Sequence, residues 1–349
     1  MQDYSDHIIS YDASLNEALE KLNRLKNLTL FIVNKNQELI GTLTDGDVRR
    51  GFLKGLTMNE KVDEFMSKQF HSLTLQELSV HKIKNIRKQL IQLLPIIDEQ
   101  GKIIKVIDFK DTQTLLPVDA VIMAGGRGER LRPLTDSTPK PMLKLGDKTI
   151  IGHEIDLLSK YGIENIFITV RYLGNQIIEK IGDGKERGVN IHYYTEQEPR
   201  GTVGSVGRIT NLINDTVLIL NSDLYTNINL EEFFTHFTDT GADMSIASIS
   251  QNISLSYAVL EVKNQDILSL DEKPTYTYNI NTGIYLIKRE MLNYIPKDQP
   301  YDATDLIYDL LRRKKKIVTF PLMGYWIDIG KHEDYKKAQE LVNFLTNFQ

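Results

Sequence analysis

Residues 118–124 read VDAVIMA, an apolar run broken only by Asp119, and they end abruptly in Gly-Gly-Arg-Gly. A short run rich in valine and isoleucine, stopped by glycines, predicts a buried strand over 118–123 that turns sharply at its end. A strand of this kind needs cover on both faces, which most simply means a parallel sheet between helices. The residues that follow keep to that rule. Apolar runs at 165–170, 189–194 and 216–220 alternate with helical patterns at 150–161, 174–181 and 203–212. That alternation predicts an α/β domain with a mainly parallel sheet. Beyond it come a helix at 229–240, shorter strands at 243–250, 257–262, 267–271 and 278–287, and a helix at 302–313. A strand near 317–320 and a last helix from about Lys331 complete the expectation.

The residues before Leu115-Leu116-Pro117 obey a different rule. Ile32–Asp47 (IVNKNQELIGTLTDGD) aligns without gaps onto Ile96–Asp111 (IIDEQGKIIKVIDFKD), each copy reading strand, polar turn, strand and a polar loop ending in aspartate. An amphipathic helical pattern precedes each, at 14–25 and at about 77–90. Units this small bury too little apolar surface to stand alone, so the copies are expected to pack as a pair. The expected domains are therefore 1–116, divided into 1–58 and 59–116, and 117–349.

Charge and composition narrow the function classes. The net charge of −5 falls entirely in the second domain, because acids and bases balance in residues 1–116. Such a chain lacks the basic face that nucleic acid requires, and the run Arg312–Lys316 reads as the solvated end of a helix. No apolar stretch is long enough to span a membrane. The absence of cysteine removes disulfides and thiolate metal sites. A cytoplasmic protein that binds neither nucleic acid nor membrane is expected.

The loop after the first strand of the second domain, AGGRGERLRPLT, is neither G-x-G-x-x-G nor a Walker loop. Ala124, Gly125, Gly126 and Gly128 would still let backbone N–H groups approach an anion, and Arg130 offers a planar, two-pronged grip on phosphate. Lys140 follows in TPKPM, between prolines that restrict the backbone on both sides. A rigidly held cation near this loop suits the charge that develops on a phosphorus under attack. The run VLILNSD places Asp223 at the end of a strand, where open α/β sheets bind ligands, and a carboxylate there suits Mg2+. Asp328 in GYWIDIG is a second such carboxylate. Between them lie Glu272-Lys273-Pro274 and Asn281-Thr282-Gly283.

Taken in order, these six elements resemble the sugar-1-phosphate nucleotidyltransferases, over Val118 to the C-terminus. The resemblance implies a Rossmann-like (GT-A-type) domain with a mixed, mainly parallel sheet. It implies that Gly125, Gly126 and Arg130 bind nucleotide phosphates, that Lys140 stabilises the transferring phosphate, and that Asp223 and Asp328 hold Mg2+. Tyr257, Glu272, Lys273 and Asn281 would face the sugar phosphate. In TEQEPRGTVGS, Glu196, Gln197, Gly201 and Thr202 match the base-and-ribose loop, with Arg200 and Val203 departing from its usual leucine and alanine. Residues 1–116 resemble a tandem pair of cystathionine-β-synthase-type (CBS) modules of βαββα type. In GTLTDGD that likeness makes Thr44 a phosphate contact and Asp47 a ribose contact for a regulatory nucleotide, the alternative being a pair that serves only as a dimerisation platform. The second copy has Lys105 and Asp108 in place of the glycine and threonine, and a carboxylate would repel phosphate there.

The expected reaction joins an NTP to a sugar 1-phosphate and releases pyrophosphate. Glu196 could accept from both N1–H and the amine of guanine, which favours GTP. The fused CBS pair resembles guanylyltransferases that make GDP-glucosamine-type precursors of nonulosonic acids, so an aminosugar 1-phosphate is expected. Mannose 1-phosphate or heptose 1-phosphate with GTP, and glucose 1-phosphate with UTP or dTTP, are the alternatives. A reading of another class is a nucleotide-sensing regulator with an inactive transferase half, against which Lys140, Asp223 and Asp328 are all intact. A homo-oligomer is expected.

Overall fold

The structure is a computed structural model that describes residues 4–347. The chain divides into two units: residues up to Leu116 together with Lys160–Gly162, and Pro117–Ser159 together with Ile163 onward.

The first unit builds the same small motif twice. In the first half, β1 (Ile8–Ser10), α1 (Leu15–Arg24), β2 (Thr29–Val33), β3 (Leu39–Thr44) and α2 (Asp45–Leu53) follow one another. A short helix, α3 (Val62–Phe65), leads into β4 (Leu73–Thr74), α4 (Val80–Arg87), β5 (Leu93–Ile97) and β6 (Ile103–Asp108). Each half makes a three-stranded sheet with one parallel and one antiparallel pairing, β1-β2-β3 and β4-β5-β6. Each sheet shifts register at the equivalent step, Ile32/Val33 in one and Ile96/Ile97 in the other. Helix α1 forms because Ser14 caps it, accepting from Glu17 N, while Leu15, Ala18 and Leu22 recur at helical spacing on its buried face. Helix α2 opens with a reciprocal cap: Asp47 N donates to Thr44 Oγ1, and Thr44 N donates to the Asp47 carboxylate.

The second unit is a mixed α/β fold on a sheet of seven strands. Its elements are β7 (Val118–Ala124), β8 (Lys144–Leu145), β9 (Lys148–Thr149), α5 (Ile150–Lys160), β10 (Asn165–Val170), α6 (Gly174–Ile181), β11 (Asn190–Thr195), β12 (Thr216–Asn221), β13 (Leu224–Thr226) and α7 (Leu230–Thr240). Then come β14 (Met244–Ser254), β15 (Val259–Lys263), β16 (Asp266–Asp271), β17 (Thr275–Lys288), α8 (Ala303–Arg312), β18 (Ile317–Pro321), β19 (Trp326–Asp328) and α9 (His332–Thr346). The strand order is β11-β10-β7-β12-β17-β14-β18, and only β17 runs against the rest. Val121, Val217, Ile219, Ile287 and Leu306 meet in its main apolar core. Asp119, the one charge in the apolar run, is fully buried and takes hydrogen bonds from Ile213 N, Asn214 N and Asn214 Nδ2.

Two expectations require correction. The helix expected at 203–212 is a single turn of 3-10 helix, Val206–Arg208. Val203 and Gly204 both donate to Tyr301 O at 3.1 Å, so the backbone there is engaged by a distant segment. Val203, Val206, Ile209 and Leu212 are nevertheless all buried, and their spacing of three imitated a helix. Strands β14 and β17 are also longer than expected. They stay paired from Met244↔Ile287 out to Ser254↔Thr275, well past the sheet. Together with the β15–β16 hairpin they form an arm on which almost every residue from Gln251 to Asn279 is exposed.

Candidate active site

The carboxyl ends of β7 and β12 lie side by side, with Asn221 in register with Met123, so the glycine loop and the Asn221-Ser222-Asp223 turn are neighbours. The loop holds a left-handed residue at Gly128, where φ is 63°. A Cβ at Gly128 would stand 2.9 Å from Lys140 Cβ, so glycine is needed for the loop to pack on that lysine. Lys140 opens a short 3-10 turn, Lys140–Met142, and is buried. Its Nζ donates to Asp223 Oδ2 in a tight ion pair.

Asp328 joins this pair through β19, which runs antiparallel to β13 with Leu224 opposite Asp328. Ile329 N donates to Asp223 O at 2.9 Å, fastening the two carboxylate segments together. Burial of the carboxyl and then the negative charge of Asp223 push Asp328 above its usual value, while Lys140 and Arg130 pull the other way. Arg130 is exposed, and its guanidinium lies 3.4 Å from where a Cβ on Gly330 would stand. Thr282 O accepts from Trp326 Nε1 at 3.0 Å, which ties the Asn281-Thr282-Gly283 turn to the strand of Asp328. Asn281 itself bonds Tyr285 and Gly283 N.

At the other end of the loop, Glu196 is buried, and its Oε2 would be 2.9 Å from a Cβ on Gly125. Burial raises its carboxyl above the usual range, opposed by the neighbouring Ser205 and Thr169 hydroxyls and by Arg171. Ala124 is buried at the strand end, whereas Gly126 and Gln197 are exposed. Gly201 is exposed too, and Thr202 is engaged at the start of α8, accepting from Ala303 N and donating its own N–H to Asp302. Tyr257, Glu272 and Lys273 stand on the exposed arm, with Tyr257 83% exposed. In the first unit, Thr44 lines a cavity of about 470 Å3 together with Lys26, Phe31, Gly46 and Phe70. Asp47 instead spends its carboxylate on the helix cap and on Arg50. Asp108 is buried and accepts from Asn27 Nδ2 at 2.5 Å.

Two residues of the site escaped the sequence reading. Glu154 lies on the buried face of α5 among Ile150, Ile151, Ile155 and Leu158, and its Oε1 accepts from Leu224 N at 3.2 Å. Its Oε2 is buried without a partner, and burial holds its carboxyl well above the ordinary value. A carboxylate on the apolar stripe of a helix was the available signal. Arg171 follows β10 directly, and the rule that pointed to Asp223, the carboxyl edge of an open sheet, applies to it equally.

A divalent cation fits this donor set. Asp223 Oδ1 is buried and takes no hydrogen bond, and Asp328 lies close enough to feel its charge. Two hard oxygen donors with one buried oxygen unspent are what such an ion coordinates, with phosphate and water completing its shell.

Residues 119–343 match the family model for nucleotidyl transferases, and residues 5–54 match that for the CBS domain. The chain belongs to the nucleotidyl transferase family and carries a CBS domain at its N-terminal end. Nucleotidyltransferases of this family typically use a divalent metal. A mannose-1-phosphate guanylyltransferase of Mycobacterium tuberculosis is 29% identical over 228 residues, 63% of this chain and 63% of that protein. A UTP–glucose-1-phosphate uridylyltransferase of Synechocystis is 30% identical over 239 residues, 63% of this chain and 62% of its own. The chain thus spans a little under two thirds of the length of these curated relatives. The crystal structure of HddC from Yersinia pseudotuberculosis complexed with GMP-PN superposes with a TM-score of 0.51 at 25% identity, covering 64% of this chain and 99% of HddC. Among the described residues no helix is long and apolar enough to cross a membrane.

Proposed function

We propose that this protein transfers a nucleotidyl group from GTP to a sugar 1-phosphate with Mg2+, releasing pyrophosphate. The observation that carries the reading is the buried Lys140–Asp223 ion pair under the glycine loop, with Asp328 beside it. An oxygen of the sugar phosphate attacks the α-phosphorus in line. The new P–O bond forms as the bond to the β-phosphate bridging oxygen breaks, and its electron pair leaves with pyrophosphate. The attacking phosphate is already ionised near neutral pH, so the site needs no general base, only position and charge.

N–H groups of Ala124, Gly125, Gly126 and Gly128 would cradle the triphosphate, with Arg130 on the departing end. Lys140 would stabilise charge on the α-phosphate. Held by Asp223 and Asp328, Mg2+ would neutralise triphosphate charge. Glu196, Gln197, Gly201 and Thr202 would face the base and ribose, and Tyr257, Glu272, Lys273 and Asn281 the sugar phosphate. GTP is supported by the acceptor Glu196 beside the loop and by the guanylyltransferase among the relatives. Glucosamine 1-phosphate or a related aminosugar is the acceptor we infer from the fusion of CBS and transferase halves. Mannose 1-phosphate is the second reading, favoured by the name of the mycobacterial relative. Residues 1–116 are read as a CBS pair whose cavity at Thr44 takes a regulatory nucleotide, in a homo-oligomer.

Pyrophosphate release, measured over a matrix of NTPs and sugar 1-phosphates, tests the reading. A peak at GTP with one sugar phosphate is expected. Retained turnover in both Lys140→Ala and Asp223→Asn would sink it.

A further inference from the structure

Arg171, which the transfer chemistry leaves unused, forms a charged pair with Glu196. Arg171 stands at the carboxyl edge of the sheet, and β10 is the neighbour of β7, whose end carries the glycine loop. Its Nε lies 3.8 Å from Glu196 Oε2, close enough for attraction and too long for a hydrogen bond. That Nε is buried and donates to nothing. The Arg171 side chain as a whole keeps 23% of its surface exposed, so the rest of the guanidinium is open to an acceptor brought from outside. The same carboxylate oxygen of Glu196 lies against Gly125 of the loop, 2.9 Å from where a Cβ would stand.

We propose that Arg171 and Glu196 together read the carbonyl–imino edge of the incoming base. The Arg171 guanidinium donates to the ring carbonyl, O6 of guanine or O4 of uracil and thymine. The Glu196 carboxylate accepts from the adjacent ring N–H. Guanine satisfies the pair most fully, because N7 gives the guanidinium a second acceptor and the exocyclic amine gives the carboxylate a second donor. Adenine and cytosine put an amine where the carbonyl should be and a bare ring nitrogen where the N–H should be. Donor then meets donor, and lone pair meets carboxylate. Selection therefore comes from rejection as much as from attraction. The inference rests on the nucleotidyl-transfer reading for the identity of the site, and the two can fail separately.

Equilibrium binding of GTP, UTP and ATP to the full chain tests it without any acceptor sugar. The wild type should bind GTP at least tenfold more tightly than ATP. Arg171→Met should weaken GTP by about tenfold to a hundredfold, the usual range for a two-pronged base contact, and leave ATP as tight or tighter, because the donor that opposes its amine is gone. Arg171→Lys keeps the charge, guards against misfolding, and should fall between the two. Equal weakening of GTP and ATP in Arg171→Met would assign Arg171 to phosphate or to structure and overturn the proposal. So would an unchanged GTP affinity, or a wild type that does not distinguish GTP from ATP. A wild type that prefers UTP, and loses its discrimination against ATP in Arg171→Met, would uphold the pair and sink the GTP reading alone.

Discussion

The phosphate end and the sugar end of the proposed site differ in how finished they are. At the phosphate end, Lys140 is buried and paired with Asp223, and Leu224 N is held by a buried glutamate behind it. At the sugar end, Tyr257, Glu272 and Lys273 stand on an arm whose residues are almost all exposed, with no core beneath them. Charges that act on a transition state work best when fixed beforehand in a dry setting, because nothing has to reorganise during the reaction. Residues that only hold a substrate can be ordered by the substrate itself. The difference teaches that loss at the first end should appear in kcat and loss at the second in KM.

The largest effect is expected at the phosphate end. Asp223→Asn and Lys140→Ala should each lower kcat on the order of 10²–10³, as the loss of one preorganised charge contact does, with the fold intact by circular dichroism. Next, Glu272→Ala and Lys273→Ala should raise KM for the sugar 1-phosphate more than they lower kcat. Their KM for the triphosphate should stay near wild type, as steady-state kinetics with each substrate varied will show. A kcat loss as large as that of Asp223→Asn would erase the contrast between the two ends.

Glu154 sharpens the comparison through pH. Its carboxyl is raised by burial, so the folded protein holds its proton more tightly than the unfolded chain does. That stability is fully present below the ordinary carboxylate value and is lost as pH rises through the raised one. Glu154→Gln keeps the oxygen that accepts from Leu224 N and removes the titration. Metal-free wild type should therefore lose melting temperature relative to Glu154→Gln as pH rises from acid to neutral, and parallel curves would contradict it. The smallest effect belongs to the first unit. Thr44→Ala removes the side-chain acceptor that caps α2, at a cost of about 1 kcal/mol by denaturant titration. It should also weaken any nucleotide bound in the cavity it lines.

Much of the fold was legible because burial leaves a periodic mark. The apolar runs of β7, β10 and β12 predicted the parallel side of the sheet, and the repeat that aligns Ile32 with Ile96 predicted two similar sheets. The failure at 203–212 was informative, since a spacing of three does not distinguish a helix from an irregular segment fastened by its backbone to Tyr301. Residues of the site were legible where chemistry sits on a motif, as with Lys140 between prolines and Asp223 at a strand end. Glu154 and Arg171 carry no motif, because their meaning depends on partners 70 and 25 positions away, Leu224 and Glu196.

Sequence alone thus determined which strands would lie parallel and named the side chains proposed to handle phosphate, since both follow from local pattern and residue type. Tertiary structure decided which of those side chains meet. It buried Lys140 against Asp223, brought Asp328 beside them by pairing β19 with β13, and set Arg171 near Glu196 without joining them. It also left Glu272 and Lys273 in solvent. Charge becomes chemistry only through distance and burial, and both are properties of the folded chain.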